Sequence, residues 1–205
     1  MTVMFWVENR IFYTDAFYND YLPNNAIRMM KKCDSIYFDM EYNLKIYSEY
    51  DENYRIPDCI TKITYSEYSY FNKKLTIKGN ETITWLPPNL KYLSFGENFN
   101  RPVDVLPKSL THLTFGNDFN QPVNSLPTSL VYLKFGDNFN QPVDSLPSSL
   151  THLTLGSFFD KSTDNLPDSI VELWIEPIIF NKFKKFPKSL ERLYISEKQV
   201  DFEKK

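Results

Sequence analysis

The stretch SLTHLTFGNDFNQPVNSLPTSLVYLKFGDNFNQPVDSLPSSLTHLTLG, Ser109 to Gly156, decides the fold. It writes SLTHLTFG, SLVYLKFG and SLTHLTLG at an interval of twenty residues. Repetition at such a period marks a solenoid, a propeller or an array, where a unit buries its apolar side only against its neighbours. Aligning Leu90, Leu110, Leu130, Leu150, Ile170 and Leu190 carries the period through six units: 86–105, 106–125, 126–145, 146–165, 166–185 and 186–205. The first four are close copies of LPxSLxxLxFGxxFNxPVxS, with departures such as Asn89 for Ser and Leu155 for Phe, and the last two drift. Upstream, Ile56-Pro57-Asp58-Cys59-Ile60, Ile63, Tyr65, Phe71 and Asn72 keep the phase with about ten extra residues. Cys33, Ile36, Phe38, Tyr42, Asn43 and Ile46 fall at the offsets of one more unit, which makes eight.

Each unit has a physical reading. In LTHLTF, Leu113 and Phe115 alternate with His112 and Thr114, the period-two pattern of a short strand with one face in and one face out. Gly96, Gly116, Gly136 and Gly156 follow directly, and glycine there permits a positive φ and a sharp turn. The FNQPVNSLP leg carries two prolines, which disfavour helix and leave an extended or polyproline-like return. Stacked coils then give a β-rich, right-handed solenoid with one parallel strand per repeat and capped ends. L-x-x-L-x-[FL] matches the start of the leucine-rich repeat, whose strands line a hollow. A closed β-helix is the alternative, and it needs a second regular strand from the FNQPV leg. Phe99, Phe119, Phe139 and Phe159 are expected to stack inside, with Asn100, Asn120, Asn140 and Asp160 beside them satisfying backbone groups from coil to coil.

The organisation that follows is one continuous solenoid. Residues 1–32 form an N-terminal cap, 33–85 two degenerate repeats, 86–165 four regular repeats, and 166–205 two diverged repeats with a C-terminal cap. In the first cap, Val3–Val7 and Ile11–Tyr13 flank Glu8-Asn9-Arg10 as a β-hairpin, and 24–32 form a short helix. Phe5, Trp6, Phe12, Phe17 and Tyr18 supply its bulk.

The repeats resemble the FNIP repeat, through FNRP at Phe99–Pro102, FNQP at Phe119–Pro122 and Phe139–Pro142, and the preceding LPxSLxxLxFG. The resemblance covers 86–165 closely and 166–195 loosely. It implies a leucine-rich-repeat-like solenoid and an interaction role, of the kind found in social amoebae and in giant viruses of amoebae. It implies no reaction. On that reading the chain is a protein–protein interaction module, a viral protein acting on host proteins in the host cytoplasm. The alternative is a substrate adaptor of a ubiquitin ligase with residues 1–55 as the recruiting segment. Tyr21-Leu22-Pro23 opens like an F-box there, but no leucine-rich helical pattern follows.

Composition and motifs narrow the chemistry. Net charge is −3 over 205 residues, which disfavours wholesale binding to nucleic acid or anionic membrane. No apolar run is long enough to cross a membrane. Two cysteines, Cys33 and Cys59, fit a reducing compartment and read as small buried thiols. No phosphate loop, HExxH, CxxC or GxSxG occurs, so no catalytic residue, cofactor or metal site is expected. His112 and His152 lie two coils apart, roughly 10 Å, too far to grip one ion. Asp104, Asp144 and Asp164 share a column with Asn124 and read as a solvated ridge. Lys182, Lys184, Lys185 and Lys188 are too few for a nucleic-acid footprint.

The informative surface is the strand face turned from the core. One column reads Tyr92, His112, Tyr132, His152, Glu172, Arg192, and the other Ser94, Thr114, Lys134, Thr154, Trp174, Tyr194. The core columns are nearly fixed while these vary. Aromatic and Arg side chains are frequent anchors of protein interfaces, and an exposed Trp174 beside Tyr194 is costly on a solvated face. The expected partner-binding residues are therefore Tyr92, His112, Tyr132, His152, Glu172, Arg192, Lys134, Trp174 and Tyr194, on a concave face. The chain acts as a monomer or as a dimer through an end strand.

Overall fold

The computed structural model describes residues 5–14, 28–38, 56–67, 86–196 and 198–202. Among the described residues eleven strands form one sheet in chain order. They are β1 (Phe5–Glu8), β2 (Ile11–Thr14), β3 (Ser35–Phe38), β4 (Lys62–Tyr65), β5 (Tyr92–Ser94), β6 (His112–Thr114), β7 (Tyr132–Lys134), β8 (His152–Thr154), β9 (Glu172–Ile175), β10 (Arg192–Ile195) and β11 (Lys198–Val200). Strands β2 to β10 pair in parallel. The register of the regular part advances by one repeat per strand, Leu93 opposite Leu113, then Leu133, Leu153, Leu173 and Leu193. Among the described residues each regular coil has one strand and a return leg of turns, so the architecture is a leucine-rich-repeat-like parallel solenoid and not a β-helix with two strands per coil.

The ends are antiparallel. β1 pairs with β2 around Asn9 and Arg10, whose φ values of 47° and 65° suit the tight turn of a two-residue hairpin. β11 folds back on β10 through Ser196, also at positive φ. Residues 28–30 are helical and lie at the C-terminal end of the expected 24–32 helix. The expected contributions of Val3, Phe17, Tyr18, Tyr21–Ile27, Tyr42, Asn43, Ile46, Phe71 and Asn72 lie outside the described residues.

The core consists of columns, one residue per coil. Leu90, Leu110, Leu130, Leu150, Ile170 and Leu190 are wholly buried. Phe99, Phe119, Phe139 and Phe159 stack from coil to coil with centroids 6.1–6.2 Å apart and planes within 10°. A second ladder, Phe95, Phe115 and Phe135, lies against the first at 3.6–3.8 Å within each coil. Leu155 ends it. Offset parallel rings contribute about 0.5–1.5 kcal/mol beyond their area, so a repeated Phe at one position is reinforced by its own copies.

Polar ladders run alongside. The backbone N–H of Asn120 donates to Asn100 Oδ1 (3.0 Å), that of Asn140 to Asn120 Oδ1 (2.9 Å), and that of Asp160 to Asn140 Oδ1 (2.9 Å). Ser109, Ser129, Ser149 and Ser169 hydroxyls donate to the carbonyls of Leu90, Leu110, Leu130 and Leu150 at 2.6–2.7 Å. These bonds satisfy turn groups that no strand partner reaches.

Two expectations need correction. Gly116, Gly136 and Gly156 do not adopt a left-handed φ. They are required by close approach. A Cβ on Gly116 would sit 2.5 Å from Glu97 Cα, and one on Gly136 would sit 2.5 Å from the Gly116 carbonyl carbon. The second correction concerns the thiols. Cys33 is buried, but Cys59 is exposed, and both are free. Cys33 fills the Leu position of its coil, whereas Cys59 takes the Ser position, and its thiol donates to the Met30 carbonyl (3.7 Å), three residues before the one that the Ser hydroxyls of later coils reach.

The lysine cluster is tied down one coil back. Lys182 pairs with Asp160, Lys184 with Asp164 (2.8 Å) and Lys188 with Asp168 (2.6 Å). Each lysine's hydrogen bond holds its partner carboxyl below the usual carboxylate range.

Candidate functional site

The two outward columns share one face because side chains alternate along each strand. Strand pairing sets Tyr92, His112, Tyr132, His152, Glu172 and Arg192 in one row, and Ser94, Thr114, Lys134, Thr154, Trp174 and Tyr194 in the next. All nine expected binding residues therefore lie on one surface. They fall into three groups by what they touch.

The first is a mixed ring stack. Tyr92 and His112 have centroids 4.4 Å apart, His112 and Tyr132 5.7 Å, and Tyr132 and His152 6.2 Å. Tyr92, at its open end, is 42 % exposed. The Thr111 hydroxyl donates to the Lys91 carbonyl (3.1 Å) and meets His112 Nδ1 at 2.9 Å. A Thr111 hydroxyl that gives its one proton to the carbonyl accepts from the tautomer of His112 protonated at Nδ1. Thr151, the Val131 carbonyl and His152 repeat the arrangement at 3.2 and 2.7 Å. Burial, reinforced by His152, holds the His112 imidazole below its ordinary range. Burial, then the Glu172 charge, pushes the Tyr132 phenol up. At neutral pH the stack is uncharged at both positions.

The second group is built on Glu172. Its carboxylate accepts from Trp174 Nε1 (2.8 Å) and from Arg192 Nε (2.7 Å). Burial is the largest single influence on it and raises its pKa, but the two hydrogen bonds and the Arg192 and His152 charges together hold it below the usual carboxylate range. Trp174 is half-buried, not exposed, because it stacks on Tyr194 at 4.0 Å and 12°. Its place on this face is thus partly structural.

The third group is the groove between Lys134 and Trp174. Thr154, the small residue between them in register, leaves a hollow of about 380 Å³ that also takes in Tyr132, Asp137 and Glu176. Sequence reasoning missed two residues beside it, Phe158 and Ile178, which are 66 % and 62 % exposed. Their signal was present. They occupy the column of Asn98, Asp118 and Asn138, where an apolar residue breaks a polar run.

Among the described residues no group of His, Cys, Asp and Glu is placed to hold a metal ion. No described helix is long and apolar enough to cross a membrane.

This architecture defines the class: a leucine-rich-repeat-like parallel solenoid with one strand face turned away from the core. The FNIP Repeat family model matches residues 80–118, 102–138, 119–158 and 139–176. Residues 80–176 of the chain are FNIP repeats. The chain is also similar to CroV588, a giant-virus protein whose crystal structure is described as that of a novel circular LRR protein, with 25% sequence identity and a TM-score of 0.43. That likeness covers 93% of this chain and 41% of the other, so the chain spans about two fifths of that protein's length. No curated protein sequence matches the chain.

Proposed function

We propose that the chain is a non-catalytic protein-binding module whose partner docks on the strand face. The observation that carries this reading is the contrast between columns. The inward positions repeat Leu and Phe from coil to coil, while the outward positions change at nearly every coil of one continuous sheet. Packing dictates the first set and does not dictate the second. The face is also rigid before any partner arrives, since its rings are stacked and Glu172 is held from two sides. A pre-ordered surface loses little conformational entropy on binding. Tyr, Trp and Arg are the side chains that most often carry interface energy.

Stacking along the ladder and binding are compatible, so the test must separate them. Tagged parent protein and a Tyr92→Ala/Tyr132→Ala/Trp174→Ala variant with unchanged circular dichroism are used to capture proteins from amoebal lysate. The reading expects a protein retained by the parent and lost with the variant. A partner retained equally by both would confine these rings to a structural role and overturn the reading.

A further inference from the structure

The polar column Asn98, Asp118, Asn138 turns apolar at Phe158, with the same chain path, and at Ile178, where a short helix, Pro177–Phe180, replaces the turn. The Phe158 N–H donates to the Asp137 carbonyl (3.0 Å), as Asp118 does to Glu97 (2.9 Å) and Asn138 to Asn117 (3.0 Å). The next residues, Phe159 and Ile179, fill the core at 1% and 0% exposure. Phe158 and Ile178 are therefore not needed inside. They stand on adjacent coils and are the most exposed large apolar residues among those described.

Neither residue lines the hollow itself, but each follows closely on one that does. Ser157 lines the hollow and Phe158 follows it; Glu176 lines it and Ile178 stands two residues on. Trp174 stacks on Tyr194 on one side and borders the hollow on the other. The charge just past the strand ends is one-sided. The three positions that follow the strands, from Gly96-Glu97-Asn98 to Glu176-Pro177-Ile178, hold Glu97, Asp118, Asp137 and Glu176 and no Lys or Arg. Lys134 is the one basic side chain lining the hollow, on the wall away from Glu176.

We propose that this groove docks an extended segment of the partner that carries a Lys or Arg beside an aliphatic or aromatic residue. The partner's cation enters against the Trp174 indole and the Glu176 carboxylate, where ring and charge attract it together, and Asp137, two coils back, adds to the negative field. Its apolar neighbour covers Phe158 and Ile178. Lys134 makes the groove two-signed, so a second basic residue at that end is disfavoured. The inference rests on the protein-binding reading above and names the chemistry of the segment bound.

Random peptides displayed on phage are panned against the full chain, and enriched sequences are synthesised and titrated. The proposal expects Lys or Arg close to an apolar residue in the enriched set. Phe158→Ser/Ile178→Ser should weaken binding by about tenfold or more. Asp137→Asn/Glu176→Gln should do the same and flatten the salt dependence. Lys188→Ala, on the return leg, should change nothing. Enrichment of peptides without basic residues, no enrichment, or affinity unchanged in both groove variants would overturn it. If affinity is instead lost on Tyr92→Ala, the strand-face reading stands and the groove assignment falls. Indifference to all of these variants would remove both.

Discussion

Replacing Gly136 by Ala adds one methyl group where two coils nearly touch. The new Cβ would lie 2.5 Å from the Gly116 carbonyl carbon and 2.6 Å from Asn117 Cα, and closer still to the Gly116 oxygen. Ordinary carbon contacts are about 3.5–4.0 Å, so the backbones must part by about 1 Å. No flexible side chain is there to yield. The bonds beside the contact are Phe115 N–H to the Lys134 carbonyl (2.9 Å), Asp137 N–H to Asn117 Oδ1 (3.1 Å) and Asn138 N–H to the Asn117 carbonyl (3.0 Å). Weakening two or three of them at about 0.5–1.5 kcal/mol each, with overpacking strain of about 1–3 kcal/mol, outweighs the gain from a stiffer unfolded chain, about 0.4–1 kcal/mol. The expected net loss is about 3 kcal/mol, a melting point about 6–12 °C lower for a chain of this size. Thermal circular dichroism of parent and Gly136→Ala reads it directly. A variant that melts at or above the parent would refute the close-approach argument.

Other outcomes follow from single columns. Thr163 replaces the Val of three preceding coils, is 3% exposed, and its Oγ1 has no hydrogen-bond partner, so Thr163→Val should stabilise by about 1–2 kcal/mol in urea unfolding. Asn120→Ala leaves the Asn140 N–H without its acceptor and should cost about 1–3 kcal/mol, while Asn120→Asp, which keeps an acceptor, should cost less in the same assay. Acid should weaken the fold in two stages. Below the ordinary histidine value of 6.5 the unfolded chain takes a proton at His112 that the folded chain resists, and stability falls as pH drops through that range. Glu172, held below 4.5 in the fold, adds stability that is present above that pH and lost as pH falls through its folded value. Melting points measured from pH 8 to about 2 should decline on this course, and His112→Gln should flatten the upper stage.

Much of this was legible in the sequence because a solenoid solves one packing problem repeatedly. The spacing of Leu90, Leu110 and Leu130, the period-two strands and the matched Phe-Asn pairs point to one strand per coil and to side chains that meet their own copies. Other features depend on atoms that spacing does not place. Glycine after a strand fits a turn with positive φ as well as a tight coil-to-coil contact, and only the distance to the preceding backbone separates the two. The exposure of Trp174 could not be read without the Tyr194 ring that covers it, nor that of Cys59 without its place at a surface turn. Phe158 and Ile178 lie just beyond the strand positions that alternation reads, where only the break in the Asn-Asp column marks them. The nine outward residues were placed on one face by alternation alone, but their division into ring stack, Glu172 cluster and groove depends on side-chain contacts.

The most direct test of the binding account is hydroxyl-radical footprinting of the chain alone and in complex with its captured partner. Protection of Tyr92, Tyr132 and Trp174 on complex formation is the predicted result. Unchanged reactivity at these three rings, with protection appearing on the return legs instead, would contradict it.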